Sequence, residues 1–401
     1  MRTILCVYLQ PTNLTHTAGR KGRRGVGRPR RPLMPAARPD AAKTAVGGNE
    51  EDDKAAPPRL NKEGRRLEIA RAWPWISRES IRASPDFQHL VEELQIRNVS
   101  PSILILNRFA LNITHNWLCN VQHMPGALER VLIVSLDNET RQELGQTWPQ
   151  LLYFHWSVPA FANRAFGYGQ PLYQVFMAFR LQLTSALLAE GLDLWMVQAD
   201  TFWRRNLYEA PLGTAEILMD RAGRTGFQAR VVAGGHFRVR ASHHSLRAFR
   251  RLAWLQSWWY APDNALMSLF LADVPGFAFL PFHYVASWQW FLLGRPFRGP
   301  DPWLFQFDGE AEGSDGKVAT MAYKGLYFRS HRQHQNCDAM ALLRAQVGDP
   351  ELLQKAKPSW KEQQLWVYIR IFSAAVSACP TLAGPVQAAL LFFSYYAMLF
   401  L

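Results

Sequence analysis

The chain has 401 residues, of which 48% are hydrophobic and 13% aromatic, so it can bury a large core and is not disordered as a whole. Its formal net charge is +13, but residues 1–45 contain ten Lys or Arg and one Asp, so this segment supplies +9 and the other residues +4. Because the remainder is nearly neutral, we expect no nucleic-acid partner for it.

Composition divides the chain into four parts. Residues 1–65 form a basic tail that is rich in Arg, Gly and Pro and has no hydrophobic period, so we predict disorder there. The rival interpretation of this tail is a nuclear or nucleic-acid signal. A lead-in over 66–97 and one folded domain over 98–345 follow, and 346–401 is a C-terminal segment.

The C-terminal segment is apolar at its end. No charged residue occurs from Ile371 to Leu401, although Pro380 and Pro385 would interrupt a helix that ran this full length. A membrane span needs about 20 apolar residues. The segment is therefore either membrane-associated or a buried tail.

Predicted strands and helices alternate through the folded domain. Short apolar runs predict strands over 103–106, 131–135, 151–156 and 194–197. Helical patterns lie over 117–128, 137–144 and 172–190. Asp137 is placed to cap the second of these helices, and Gly191 to end the third. This alternation predicts an α/β fold, with a mainly parallel, Rossmann-type sheet flanked by helices in a single domain.

The strand over 194–197 leads to the main candidate site. Its apolar run is followed by Gln198, Asp200 and the aromatic pair Phe202 and Trp203. In open α/β sheets ligands bind beyond the carboxyl ends of the strands, which is where Asp200 lies. A carboxylate there can hold a divalent ion, and the ion can hold a diphosphate. The structural alternative for Asp200 is the N-cap of a following helix.

The order of several segments resembles the nucleotide-diphospho-sugar transferase family, whose metal-binding strand ends in Asp-any-Asp before an apolar residue and Trp. The matching segments are Ile103–Asn107, Asn116–Asn120, Val134–Asp137, Phe179–Gly191, Gln198–Trp203, Glu216–Asp220, Val232–Arg240 and His334–Asn336. Gln198 stands where the family has its first Asp, and Ala233 where Asn is usual. The family includes plant rhamnogalacturonan xylosyltransferases and animal homologues.

The resemblance implies a GT-A-like glycosyltransferase that moves a sugar from a nucleotide-diphosphate donor, expected to be a UDP-sugar, to a hydroxyl of a glycan or glycoprotein. It also implies retention of configuration, assistance by Mn²⁺ or Mg²⁺, and a place in the Golgi lumen or membrane. Asp200 is the expected catalytic residue and metal ligand, and His334 the second metal ligand. The residues expected to bind the donor are Asn107, Arg180, Gln198, Gly235 and His334.

Gln198 leaves two interpretations open, because an amide brings no charge to a metal site. The chain is either a working enzyme with a weaker metal site or a catalytically impaired relative that binds sugar nucleotide or glycan without turnover. Asp263-Asn264 matches the family's Asp-Gln pair poorly, so these two residues are not counted in the predicted site.

Two further features bear on the cellular compartment. Cys119 and Cys337 can form a disulfide if the chain is secretory, and free buried thiols are the equally weighted alternative. N-glycosylation triplets begin at Asn13, Asn98, Asn112 and Asn138. The clustering of three of them between 98 and 140 favours a luminal compartment.

Overall fold

Two β-sheets organise the part of the chain that the computed structural model describes. The described residues are 62–161, 164–166, 170–224, 226–259, 261–287, 290, 299–307, 313–329 and 337–348. All of them belong to one compact unit. The predicted disordered tail and the apolar C-terminal end therefore lie outside the described residues, apart from a few residues at their inner ends.

The ten strands are numbered along the chain. They are β1 Ser102–Leu106, β2 Val131–Ser135, β3 Leu152–His155, β4 Leu194–Met196, β5 Thr201–Trp203, β6 Ile217–Arg221, β7 Val232–Val239, β8 Phe277–Phe279, β9 Val285–Ala286 and β10 Leu304–Gln306. The larger sheet has the order β3-β2-β1-β4-β7-β6-β8, and the smaller sheet has the order β5-β10-β9.

Parallel pairing dominates the larger sheet. β1 pairs in parallel with β2 and β4, β2 with β3, and β6 with β8, whereas β7 runs antiparallel to β4 and β6. Every residue of β1 and β2 is buried, as expected for parallel strands that are covered on both faces. The predicted α/β fold with a mainly parallel sheet is confirmed.

Helices cover both faces of this sheet. They are α1 Lys62–Ile76, α2 Arg78–Ala83, α3 Pro85–Arg97, α4 Leu111–Val121, α5 Asn138–Thr147, α6 Pro171–Ala189, α7 His243–Trp258, α8 Asp263–Phe270, α9 Gly313–Tyr323 and α10 Ala339–Val347. Ile103 and Ile105 of β1 pack into a core with α6 and α7, and the alternate residues Leu104 and Leu106 pack into a second core with α4 and the smaller sheet.

Most predicted element boundaries agree with the structure to within a few residues. The carboxylate of Asp137 accepts a hydrogen bond from the Thr140 N–H at 2.7 Å, so the predicted N-cap is confirmed. Gly191 has a φ of +77°, a left-handed conformation that suits glycine just beyond a helix, and it follows the end of α6. These two features depend on local hydrogen bonding and backbone sterics, which a short sequence pattern captures.

One predicted helix was placed wrongly. The helix expected over 117–128 is α4, which starts at Leu111 and ends at Val121. Its buried positions continue back to Leu111, and the chain then turns through Gly126, whose φ is +69°. The apolar residues beyond Val121 belong to this turn and to the start of β2.

Helix α6 is the central core helix. Among the described residues it alone has the length and hydropathy to cross a membrane, but 78% of its apolar window is buried inside the fold. Its residues pack under the sheet against α1 and α7. Its burial therefore explains its apolar composition without a membrane.

A disulfide joins Cys119 in α4 to Cys337, which lies 218 residues further along the chain. Of the two interpretations left open by the sequence, the structure has the disulfide. Cross-linking two distant residues restricts the unfolded chain and so stabilises the folded state. The disulfide ties the segment before α10 to the helix beside the smaller sheet.

Replacing both Cys119 and Cys337 by Ala should lower the free energy of unfolding by roughly 3–5 kcal/mol, because the unfolded chain loses a long-range cross-link. The measurement is urea unfolding of wild type and double variant, each with and without a reductant. Reductant should bring wild type to the stability of the variant and leave the variant unchanged. An unfolding midpoint of wild type that reductant does not move would contradict this role.

Candidate active site

The site lies beyond the carboxyl end of β4, beside the first residues of β7. Two hydrogen bonds to backbone carbonyls hold the loop that carries Gln198 and Asp200. The Thr201 hydroxyl donates to the Gln198 carbonyl at 2.9 Å, and the Phe307 N–H donates to the Asp200 carbonyl at 2.8 Å. Strand β5 follows Asp200 directly, so the alternative role of Asp200 as a helix N-cap is wrong. The pairing of β5 with β10 brings Gln306 opposite Thr201.

Asp200 forms a partly buried ion pair with Lys317 of α9. The ammonium group of Lys317 donates to Oδ2 of Asp200. The other carboxylate oxygen, Oδ1, is buried and has no hydrogen-bond partner within the described part of the chain. Asp200 therefore presents one charged acceptor to anything that enters the site.

Gln198 is held against Gln306 at the floor of the site. Its Oε1 accepts from Nε2 of Gln306 at 2.7 Å. Gly235 lies so close to this pair that a Cβ atom there would be 2.2 Å from Nε2 of Gln306 and 2.8 Å from Oε1 of Gln198. Only glycine fits at position 235 without displacing the two amides.

Asp220 shapes the backbone next to the site. The register of β6 and β7 shifts between Met219 and Arg221. At this irregularity the Asp220 carboxylate accepts the N–H groups of Gly234, Gly235 and His236 at 2.7, 3.1 and 2.8 Å. Gly234 has a φ of +80°, which a side chain would strain. Burial raises the pKa of Asp220 to about 7, although the three N–H groups and Arg180 oppose this shift.

His236 follows in β7 and is fully buried. Neither ring nitrogen has a hydrogen bond of full geometry among the residues that the structure describes, although the side chain of Gln306 lies close enough to interact with the ring. Burial lowers its pKa to about 4, against the opposing negative charge of Asp200. The imidazole is therefore neutral near pH 7 and offers one donor and one acceptor.

Arg180 and Asp263 form a second, buried ion pair. The guanidinium group of Arg180, on α6, donates to the carboxylate of Asp263 at the start of α8. The neighbouring Asn264 lies against Gly234, with its Cβ 3.0 Å from the position that a Gly234 Cβ would take. Neither polar atom of the Asn264 amide, nor Nε of Arg180, has a partner in the described residues.

Seven buried side-chain polar atoms without a partner in the described residues lie together at this one place, and others are spread over the rest of the described fold. The seven are Asp200 Oδ1, both ring nitrogens of His236, Arg180 Nε, Gln306 Oε1 and both amide atoms of Asn264. Each such atom costs about 1–3 kcal/mol unless something satisfies it. Their mixture of donors and acceptors suits a ligand that has hydroxyl and phosphate groups.

The structure brings together four of the predicted site residues. Gln198, Asp200, Arg180 and Gly235 line the same site. Asn107 lies at the end of β1 as expected, but its Nδ2 donates to the carbonyls of Phe161 and Arg164, both at 3.2 Å, so this amide group holds a neighbouring loop.

His334 lies outside the described residues, so its predicted place in the site stays a prediction.

Sequence reasoning missed several residues of the site. Asp263 and Asn264 were set aside as a poor match, yet both are buried, Asn264 against Gly234 and Asp263 against Arg180. His236, Gln306 and Lys317 carry no local pattern that marks them. The pair Asp263-Asn264 was the sequence feature that could have indicated these residues. It was discounted because Asn264 differs in residue type from the Gln of the family's Asp-Gln pair.

The donor set at Asp200 does not fit a divalent cation. In the described part of the chain Asp200 is the carboxylate at this point, and it is already paired with Lys317. Gln198 is neutral and bonded to Gln306. Nowhere in the described part of the chain do three His, Cys, Asp or Glu side chains gather closely enough to hold a metal ion.

The family model for nucleotide-diphospho-sugar transferases matches residues 126–321, which include the site around Asp200. The resemblance predicted from the sequence is thereby confirmed. Residues 126–321, just under half of the chain, are thus similar to nucleotide-diphospho-sugar transferases. No curated protein matches it significantly.

Several solved glycosyltransferase structures are similar to the chain at low identity. The apo structure of the bifunctional glycosyltransferase WbbM is 12% identical, with a TM-score of 0.38, and the match covers 55% of this chain and 49% of WbbM. Mouse xyloside xylosyltransferase 1 is 10% identical, with a TM-score of 0.37, over 52% of this chain and 98% of the mouse chain.

A mannosyltransferase from Pyrobaculum calidifontis, solved with GDP-Man and Mn²⁺, is also similar. It is 10% identical, with a TM-score of 0.30, over 83% of this chain and 98% of its own. Of these three proteins, WbbM is the one of which the match covers only about half.

Replacing Gly235 by Ala should weaken the binding of a nucleoside diphosphate such as UDP on the order of 10-fold or more, because the new Cβ displaces Gln198 and Gln306. Isothermal calorimetry measures the change. Gly145→Ala is the matched control, since a Cβ there meets nothing within 4 Å. Equal UDP affinity in Gly235→Ala and Gly145→Ala would remove Gly235 from the site.

Asp220 should make stability depend on pH. Its pKa is raised from 3.8 in the unfolded chain to about 7 in the folded chain, so its stabilising contribution is full below about pH 4 and is lost as the pH rises through about 7. The free energy of unfolding of wild type relative to Asp220→Asn should therefore fall over this window. Urea unfolding at a series of pH values tests this, and a difference that is constant or rises with pH would speak against the buried acid.

Proposed function

We propose that the chain transfers a sugar from a nucleoside-diphosphate donor, a UDP-sugar, to a hydroxyl group of a glycan or glycoprotein, with retention of configuration. The observation that supports this is the set of buried, unpartnered polar atoms at the end of β4, inside the region that matches the transferase family. A sugar offers hydroxyl groups for Asn264 and His236, and a diphosphate offers charged oxygens.

The residues of the site have distinct tasks in such a transfer. Oδ1 of Asp200 and the amide of Asn264 can accept and donate hydrogen bonds to sugar hydroxyls, which orients the donor. Arg180 and Lys317 supply positive charge where the leaving diphosphate gains negative charge. Burial of the site strengthens these interactions, because water does not screen them.

The predicted metal is not part of this mechanism. Mn²⁺ or Mg²⁺ at Asp200 and His334 would stabilise the leaving diphosphate, as expected from the family resemblance. The described residues do not form a coordination sphere for such an ion, so no step here passes through a metal. The assignment of His334 as a ligand stays a prediction.

A secretory location, in the Golgi lumen or membrane, is part of the proposal. The disulfide between Cys119 and Cys337 is typical of oxidising compartments. Two of the glycosylation triplets begin at exposed residues, Asn98 and Asn138, where a glycan can be attached. Association with a membrane through the C-terminal segment rests on its apolar sequence.

Retention and turnover rest on the family resemblance. Retention means that the new bond forms on the same face of the sugar as the bond that breaks, and NMR of the product reads this directly. The alternative of a catalytically impaired binder predicts that UDP binds but that no sugar is transferred or hydrolysed.

The full-length chain should release UDP from at least one sugar in a panel of UDP-sugars with a mixture of glycan acceptors. Asp200→Asn should lower this release by roughly 100-fold or more, the size typical for the loss of one charged group at a reacting centre. Asp301→Asn is the matched control, because Asp301 is 56% exposed and pairs only weakly with Arg204 at 3.5 Å.

A melting curve of each variant confirms that it is folded. Undiminished release by folded Asp200→Asn would rule out its catalytic role. Binding of UDP without release from any sugar would favour the impaired binder.

A further inference from the structure

The ammonium group of Lys317 occupies the place at Asp200 where the family resemblance leads one to expect a divalent cation. Lys317 lies in the second turn of α9, and it reaches Oδ2 of Asp200 across 117 residues of sequence. Helix α9 is held in place by Met321, which is completely buried in the second core. The ion pair is therefore set by the packing of α9 and not by a local turn.

Among the described residues, each carboxylate of the site has a partner without a metal. Lys317 neutralises Asp200, and Arg180 neutralises Asp263. Asp220 is directed at three backbone N–H groups. A divalent ion in a protein needs several oxygen ligands, with carboxylates that supply negative charge. Among the described residues Asp200 supplies one such group here, and Lys317 already holds one of its two oxygens.

Gln198 is consistent with this arrangement. A second carboxylate at position 198 would add a negative charge beyond the one that Lys317 pairs with at Asp200. The neutral amide of Gln198 instead bonds to Gln306 at 2.7 Å. The two departures from a metal-binding site, a neutral residue at 198 and a cation at 317, therefore support each other.

The ion pair lies at the accessible side of the site. The side chain of Lys317 is 27% exposed, whereas that of Asp200 is 9% exposed. A lysine ammonium binds phosphate as a point charge. A diphosphate that enters from this side can therefore contact Lys317 while Asp200 still orients the ammonium.

We propose that Lys317 replaces the divalent cation, so that this chain binds the diphosphate of its donor through an ammonium group and needs no metal. This inference rests on the proposed function. In the transfer, the bond between the anomeric carbon and the phosphate oxygen breaks, and its electron pair goes to the diphosphate beside Lys317. The acceptor oxygen forms the new bond to that carbon, and its proton passes to the departing phosphate oxygen.

Calorimetric titration of the full-length chain with UDP and with GDP tests the proposal. The dissociation constant of the nucleotide that binds should be the same, within about threefold, in excess EDTA and in Mn²⁺. Lys317→Met should weaken binding by about 10- to 100-fold, which corresponds to one charge-assisted hydrogen bond, and Lys317→Arg should keep most of the affinity. Arg97→Met is the matched control, because it removes a charge from an exposed helical ion pair with Glu93.

The outcomes separate this inference from the proposed function. Binding that EDTA abolishes and Mn²⁺ restores would overturn the inference and leave a metal-dependent transferase. Unchanged binding by folded Lys317→Met would overturn it as well. No binding of UDP or GDP under any condition would overturn the proposed function itself.

Loss of Lys317 leaves a buried carboxylate unpaired and can unfold the domain. The double variant Asp200→Asn/Lys317→Met removes both charges and serves where the single variant does not fold. It should show the same loss of affinity in EDTA, and wild-type affinity in this variant would count against Lys317.

Discussion

The hydrogen bonds that Asp220 accepts from three successive backbone N–H groups hold the site together. They fix Gly234, Gly235 and His236 at an irregularity between β6 and β7. This geometry leaves no room for side chains at the two glycines, so Asn264 and Gln306 can approach the backbone closely. A buried acid that organises a loop in this way lets the antiparallel strand β7 present a ligand site next to the parallel strand β4.

The site lowers the stability of the fold, and interactions elsewhere in the structure offset this cost. Several buried polar atoms lack partners in the described part of the chain, and each costs free energy in the absence of a ligand. Two packed cores, one on each face of the larger sheet, and a long-range disulfide supply compensating stability. Strain and unsatisfied groups of this kind are typical of places where a protein binds or reacts.

Sequence patterns predicted the elements that depend on local chemistry. The strands of the parallel half of the sheet, the cap at Asp137 and the end of α6 at Gly191 all follow from hydrophobic period and backbone sterics. The helix over 117–128 was misplaced, because apolar residues of a turn resemble one more helical turn in sequence. Asp200 was found because it directly follows a buried strand. Asn264 was set aside because the only evidence for it was its position in a two-residue match to the family's Asp-Gln pair.

The sequence by itself determined the α/β class, the resemblance to the transferase family and the strand end that carries Gln198 and Asp200, because these depend on residues close together in the chain. Only the tertiary structure decided what surrounds Asp200. Lys317 reaches it from 117 residues away, and Gln306 reaches Gln198 from 108 residues away. Such contacts depend on how helices and strands pack, and packing is set by the whole core and not by any local pattern. For the same reason, the local sequence around Asp200 led to the expectation of a metal ion, whereas the packing of α9 places the ammonium group of Lys317 there.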